Sequence, residues 1–352
     1  MKKENMTPRE RVRAVMKGET PDRIPMDYWA TGEATAKLMK HIGVSSEDEL
    51  YKKLHIDKIR NVGPDYKGPP VSKEENVFGC KFETVKYEDG TYRECVFNPL
   101  KDYQSIEEIE KNYTWPESDW WDFSRLKDKV EPLGDYPITA GGSEPFLQYC
   151  QLRGMEQAYM DMALNPEIVH YGLDKLYGLA YESTRRIFEE IPGRVDFSYV
   201  AEDMGSQTDL LFSPAQIEEF FIPWMKKMMD LIHQNGGYVF HHSDGSIRKI
   251  LPRMIETGID VLNPIQWRCK GMEREALKRD FGGQVVFHGG MDNQETLPFG
   301  TAEDVRKEVL YNLNVLGKDG GYILAPCHNI QVVSPAENLV TLYETGYQEG
   351  WS

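Results

Sequence analysis

The sequence predicts an α/β fold, specifically a (β/α)8 TIM barrel, and three observations point to it. Short apolar strand candidates alternate with helical stretches along most of the 352 residues. Eight strand candidates can be counted. Several of them run out into polar, titratable residues, and a barrel of this kind builds its active site at the carboxyl ends of its strands. A doubly wound open sheet is the rival architecture, but no Gly-rich dinucleotide fingerprint follows the first strand. Single barrels with insertions reach this length, so one domain over 1–352 is expected.

Taken in order, the first helix opens at "TPRE", where Thr7 caps, Pro8 fits the first turn and Glu10 returns the bond. Strands are expected at 23–30 and 56–63. Residues 70–115 break the pattern: "CKFETVKYEDGTYRECVF" alternates around an Asp89-Gly90 turn and reads as an inserted β-hairpin region. Strands resume at 136–142, 195–203, 237–245, 259–266, 284–292 and 321–329. Helices lie between most of them, and capping boxes are expected at Ser213 with Gln216 and at Ser334 with Glu337. The sequence carries no internal repeat or low-complexity tract.

Composition narrows the function classes. A hydrophobic share of 40% and a charged share of 28% are ordinary for a globular enzyme. The net charge of −16 argues against a nucleic-acid partner, which needs clustered Lys and Arg to displace counterions. No apolar run is long enough to span a bilayer and the first residues lack a signal-peptide core, so a cytoplasmic protein with no membrane association is expected. The five cysteines are scattered and form no Cys-x-x-Cys pair, so neither a disulfide framework nor a zinc ribbon follows. A small molecule is the expected partner, and a homo-oligomer is left open.

The strand ends carry the chemistry. "HHSDG" (241–245) brings two imidazoles and a carboxylate; "AED" (201–203), "NPIQ" (263–266), "FHGGMD" (287–292) and "PCHN" (326–329) bring more. Each alone has a bland reading as a turn former or helix cap. Neighbours on a strand face opposite ways, so only one of His241 and His242 enters the lumen. His288 reads as a proton-transfer or substrate-contact group, or as a satisfied core histidine, and Gly289 and Gly290 behind it would let a ligand come close. Asn263 and Gln266 are candidates for orienting a substrate through their amides. Tyr28, Trp29 and Trp267 are candidates for stacking a ring, although aromatics there are more often core.

Three segments in order, "TPRERVRAVMKGETPDRIP", "SPAQIEEFFIPWMKKMMDLIH" running into "HHSDG", and "GYILAPCHNIQVVSPAENL", resemble the uroporphyrinogen decarboxylase superfamily over nearly the whole chain. That superfamily also contains zinc-dependent, cobalamin-linked methyltransferases. The decarboxylase branch carries an Arg-rich segment after its first strand, whereas "RIPMDYWATGEATAKLM" offers Asp27, Tyr28, Trp29 and Glu33, which cannot replace guanidinium groups around a polycarboxylate. Asp65 in "NVGPDYK" matches the place of that branch's essential aspartate.

The resemblance to the methyltransferase branch implies more. There, His-x-Cys after the fifth strand and a Cys after the eighth hold zinc. Here His242 and Asp244 occupy the first pair, and His328, or Cys327 after a one-residue slip, occupies the last. A carboxylate in place of a thiolate makes a harder site, suited to polarising an oxygen leaving group rather than activating a thiol. The resemblance thus implies a methyltransferase that takes a methyl group from a small methyl ether, an O-demethylation, and passes it to the cobalamin of a separate corrinoid protein. Glu202, Asp203 or His288 would supply the proton. The alternative is a metal-free lyase or decarboxylase of a small carboxylated compound, working through Asp65 and a histidine; His242 and Asp244 would then only cap a helix.

Overall fold

The computed structural model describes residues 4–87 and 90–351. Among these, seven parallel strands form one curled sheet, in the order Arg60–Asn61, Ile138–Ser143, Phe197–Ala201, Tyr238–His242, Val261–Asn263, Val286–Met291 and Tyr322–Pro326. Because every strand runs the same way, all carboxyl ends meet at one rim.

The first expected strand, 23–30, is not a regular ladder strand. Met26 bridges Leu324 and Ala30 bridges Ile330, both in parallel. On its other side the Asp57 amide donates to Met26 O at 2.7 Å. The segment therefore bonds to the last strand and to residues just before the first. Its ladder is broken for a local reason: Pro25 has no N–H to give, and the Ile59 amide bonds to the Asp27 side chain (3.0 Å) instead of to a backbone carbonyl.

Period-two alternation then dictates the lumen. Ile59, Phe197, Phe240, Val261, Val286 and Ile323 point inward as one apolar layer, closed from below by Val12 and Val15 of the helix Pro8–Met16. Each such side chain contributes on the order of 1.5–3 kcal/mol when taken out of water. The helix starts as expected, with Thr7 and Glu10 forming a capping box, and its Arg11 ties it to the buried carboxylate of Asp57, which also pairs with Arg23 of the following segment. Two residues further along the strands, Tyr199, His242, Asn263 and His288 occupy the next level up. Sequence alternation thus stacks a polar floor on an apolar plug.

Two local expectations differ. The box at Ser213 and Gln216 forms, but the last helix starts at Ala336 with Pro335 as its N-cap and no side-chain cap. Strands Lys81–Tyr87 and Gly90–Phe97 pair antiparallel; Asp89 of the expected turn lies outside the described residues. No described helix is long and apolar enough to cross a membrane.

Candidate active site at the carboxyl rim

Strand Tyr238–His242 delivers its two histidines to opposite faces. His241 is buried on the helix side, where its Nδ1 lies 2.7 Å from Val200 O and burial pushes its pKa down to about 4. His242 enters the lumen, between Trp29 and Tyr199. Beyond the strand the chain turns at Gly245 (φ 87°), and a Cβ there would lie 2.5 Å from Gly205. That close approach sets the direction of Asp244.

His242, Asp244 and His328 converge: one ligand atom from each lies within 4.8 Å of the others. His242 Nε2 is 3.8 Å from Asp244 Oδ1, and His328 Nε2 is 4.0 Å from Asp244 Oδ2. Donors around a tetrahedral zinc lie about 3.3–3.5 Å apart, so a small inward movement brings these atoms to ligand distance. Asp244 Oδ1 is buried and has no hydrogen-bond partner, a costly state that a cation would relieve. The residues present therefore fit a zinc ion, with two imidazoles, a carboxylate and an open fourth position.

Carboxyl groups crowd this trio. Asp203 Oδ1 accepts from the Asp244 amide (3.0 Å) and lies 3.7 Å from His242 Nε2. Burial pushes the pKa of Asp244 up, with Asp203 adding to the effect and the two imidazoles opposing it. Glu144 is shifted upward in the same way, first by burial and then by Asp203 and Asp244. Beside the trio a cavity of about 420 Å³ is walled by Trp29, Tyr199 and Phe240, with Asp27, Lys58 and Asn329 among its polar lining. That is room for one small molecule.

A second group lies across the lumen floor. His242 Nδ1 donates to Asn263 Oδ1 (2.6 Å), Asn263 Nδ2 donates to His288 Nδ1 (2.7 Å), and His288 Nε2 donates to Asp27 Oδ2 (3.1 Å). Burial works against the Asp27 carboxylate, yet Lys58, His288 and the Ile59 amide hold its pKa well below the usual range.

Several expected residues lie elsewhere. Glu202 follows the last residue of its strand and faces the helix layer, accepting from the Phe146 amide (3.1 Å) and the Tyr177 hydroxyl (3.1 Å). Burial there pushes its pKa well up. The Tyr28 hydroxyl meets Thr35, and its ring packs against Tyr51 and Tyr343 in the core. Asp65 is ion-paired to Lys129 (2.6 Å) and is not among the cavity's lining residues. Gln266 accepts from the Gly245 amide (2.6 Å) and so braces the Asp244 turn. The Cys327 thiol is buried and donates to Ile265 O (3.0 Å), which leaves His328 as the member of the trio from that strand. Gly289 and Gly290 make room for protein rather than ligand: a Cβ at 289 would lie 2.9 Å from Ile265 N, and one at 290 would lie 3.1 Å from Leu316 and Tyr322.

Glu144, Tyr199 and Asp27 enter the site without having been expected as chemistry. For Tyr199 the signal was available, since inward-facing Phe197 precedes it by two. Glu144 gave none, because it follows two positive-φ glycines, Gly141 and Gly142, where the sheet register shifts.

Known proteins agree with this architecture. The family described as Uroporphyrinogen decarboxylase (URO-D) matches residues 7–348. Uroporphyrinogen decarboxylase 2, chloroplastic, of Arabidopsis thaliana is 25% identical over 61% of this chain and 49% of its own. The chloroplastic uroporphyrinogen decarboxylase of Nicotiana tabacum is 28% identical over 60% and 49%. The chain thus spans about half the length of these curated relatives. Among solved structures, a methyltransferase from Methanosarcina mazei superposes with a TM-score of 0.70, at 17% identity, over 98% of this chain and 99% of that one. At that identity the likeness speaks for the fold alone. With the family match covering nearly every described residue, the chain belongs to the uroporphyrinogen decarboxylase family.

Proposed function

We propose that this chain is a single-domain cytoplasmic methyltransferase, a closed (β/α)8 barrel with residues 70–115 inserted, that removes a methyl group from a small methyl ether and passes it to the cobalamin of a separate corrinoid protein. The observation that carries the reading is the convergence of His242, Asp244 and His328, with a buried unpartnered carboxylate oxygen, at the edge of a cavity sized for a small molecule. The methyltransferase from Methanosarcina mazei that shares the fold is in keeping with it. His242, Asp244 and His328 would hold zinc, which when bound supplies a Lewis acid for an oxygen leaving group. Trp29, Tyr199 and Phe240 hold the substrate and keep water from it. Asp203 and Glu144 are the carboxyl groups placed to give a proton to the departing oxygen, and the raised pKa of Glu144 suits it to keep that proton until then. The corrinoid protein would present its cobalt at the open rim.

Elemental analysis after exposure to zinc and desalting tests the metal: about one zinc per wild-type chain is expected, and almost none for His242→Ala with an unchanged fold. Mixing the enzyme, candidate methyl ethers and a reduced corrinoid protein tests the reaction, since cobalt(I) and methylcobalt(III) absorb differently. Demethylated product should appear in step with methylcobalt. Wild-type protein that stays metal-free, or shows no spectral change with any ether, overturns the reading.

A decarboxylase of a small carboxylated substrate is the second reading. The curated relatives favour it, as does Lys58, a cation in the cavity lining that could hold a carboxylate. Carbon dioxide released with no corrinoid present would decide for it.

A further inference from the structure

The hydrogen bonds on the lumen floor leave little freedom of direction. An ionised carboxylate can only accept, so Asp27 Oδ2, 3.1 Å from His288 Nε2, requires a proton on that nitrogen. A His288 ring with one proton then has a bare Nδ1, which requires the amide end of Asn263 (2.7 Å). The carbonyl end of Asn263 is thereby turned to His242 Nδ1 at 2.6 Å, and needs a proton there. A His242 ring with its proton on Nδ1 leaves a lone pair on Nε2. That nitrogen faces oxygens of Asp203 and Asp244 at 3.7 and 3.8 Å, too far for either to accept a proton from it.

We propose that Asp27 is a positioning residue for His242: through His288 and Asn263 it selects the His242 tautomer whose Nε2 lone pair faces Asp244 and His328. The proposal rests on the reading of those three residues as a metal site. Its logic is that of the carboxylate behind a metal-bound histidine, extended across two intervening side chains. Asp27 suits the role because it cannot turn: Ile59 holds one oxygen (3.0 Å) and Trp29 Nε1 holds the other (2.8 Å). It also gives His288 and Asn263 work other than touching substrate, since both ring nitrogens of His288 and both ends of the Asn263 amide are occupied.

The test reads protons directly. In metal-free protein at about pH 8, above the ordinary imidazole pKa, ¹⁵N correlation of the ring nitrogens should show His242 protonated at Nδ1 and bare at Nε2. In Asp27→Asn the amide oxygen stays with the Ile59 amide and beside the Lys58 ammonium (3.7 Å), so the NH2 is turned to His288 Nε2, and the Trp29 Nε1–H loses its acceptor. The whole run then reverses, His242 moves to the Nε2–H form, and zinc affinity falls roughly tenfold or more. The double variant Asp27→Asn/Asn263→Asp moves the carboxylate from 27 to 263, where it accepts from the Nδ1 of both imidazoles. It should restore the bare Nε2 of His242 and most of the lost affinity, a rescue that a merely structural Asp27 would not show. The proposal is overturned by Nε2–H in the wild type, by unchanged His242 signals in Asp27→Asn, or by a double variant that fails to restore them. Should Asp27→Asn not fold by circular dichroism, the wild-type spectrum decides alone. The expected tautomers in a protein that takes up no zinc would uphold the role of Asp27 while overturning the metal reading.

Discussion

Glu202 shows what a single residue's facing decides. It sits at a strand end next to Asp203, yet its carboxyl is taken up by the Phe146 amide and the Tyr177 hydroxyl. Burial favours its protonated form, so Glu202→Gln is nearly isosteric and should keep activity within about threefold of wild type. Glu202→Ala leaves two buried donors unpaired and should cost about 2 kcal/mol in denaturant unfolding. A large loss of turnover in the glutamine variant, with stability intact, would return Glu202 to the chemistry. Sequence reasoning could not separate Glu202 from Asp203, because the strand ends at Ala201 and strict alternation ends with it. Tyr28 is the opposite case: once Asp27 and Trp29 face inward, alternation already turns Tyr28 toward the helices.

At the scale of an element, strand Ile138–Ser143 is shaped by Gly142. Its φ is 108°, and a Cβ would lie 1.9 Å from Tyr199 O, so Gly142→Ala should destabilise by more than about 3 kcal/mol and displace the strand that carries Tyr199. Thermal unfolding with a check on soluble yield measures this. The helix Ile222–Gln234 offers a pH test. His233 Nε2 donates to Asp260 at 2.7 Å, and that bond raises its pKa in the folded state. Stability from the pair is therefore complete below the unfolded imidazole value of about 6.5 and is lost as pH rises through the higher folded value. His233→Gln should lower Tm more at pH 6 than at pH 9, by a small amount because the pair is partly exposed. Elements of this kind were largely legible, since hydrophobic period and capping residues mark them locally. The broken segment at 25–30 was not, because the side chain of Asp27 within it takes an amide 32 residues away in sequence, that of Ile59.

Over the whole molecule, the rim loops behave as one piece. Ser246 N donates to Ser206 O, Lys270 N to Gln207 O, and the Ser246 hydroxyl to Lys270 O. The loops at 204–212 and 267–272 are thus laced to the turn that holds Asp244. A corrinoid protein docking there should be sensitive to Leu211→Glu, an exposed apolar side chain, with methyl transfer weakened more than small-substrate binding; comparing the two by stopped-flow absorbance and calorimetry tests it. The shared rim was legible in the sequence because five strand ends carried polar groups together. The trio His242, Asp244 and His328 was named through the family resemblance, with Cys327 as the alternative to His328; the floor beneath it was not legible, because Asp27 and His288 stand 261 residues apart and nothing local couples them.

That separation also orders the events of synthesis. The segment bearing Asp27 is held by partners that leave the ribosome late: Leu324 through backbone bonds, Tyr343 through its hydroxyl on Asp27 O at 2.9 Å, and Gly350 through its carbonyl on the Ile24 amide. Contacts this distant in sequence form slowly. While the first strands and the helix plug can collapse early, the 25–30 segment can meet only residues 57–59 on one side, and its other side stays open until residues 322–350 have emerged. A nascent chain halted before residue 322 would carry His242, Asn263 and His288 but lack the Leu324 and Tyr343 bonds that fix the Asp27 backbone, so the lumen would acquire its fixed polarity only after the last strand is made.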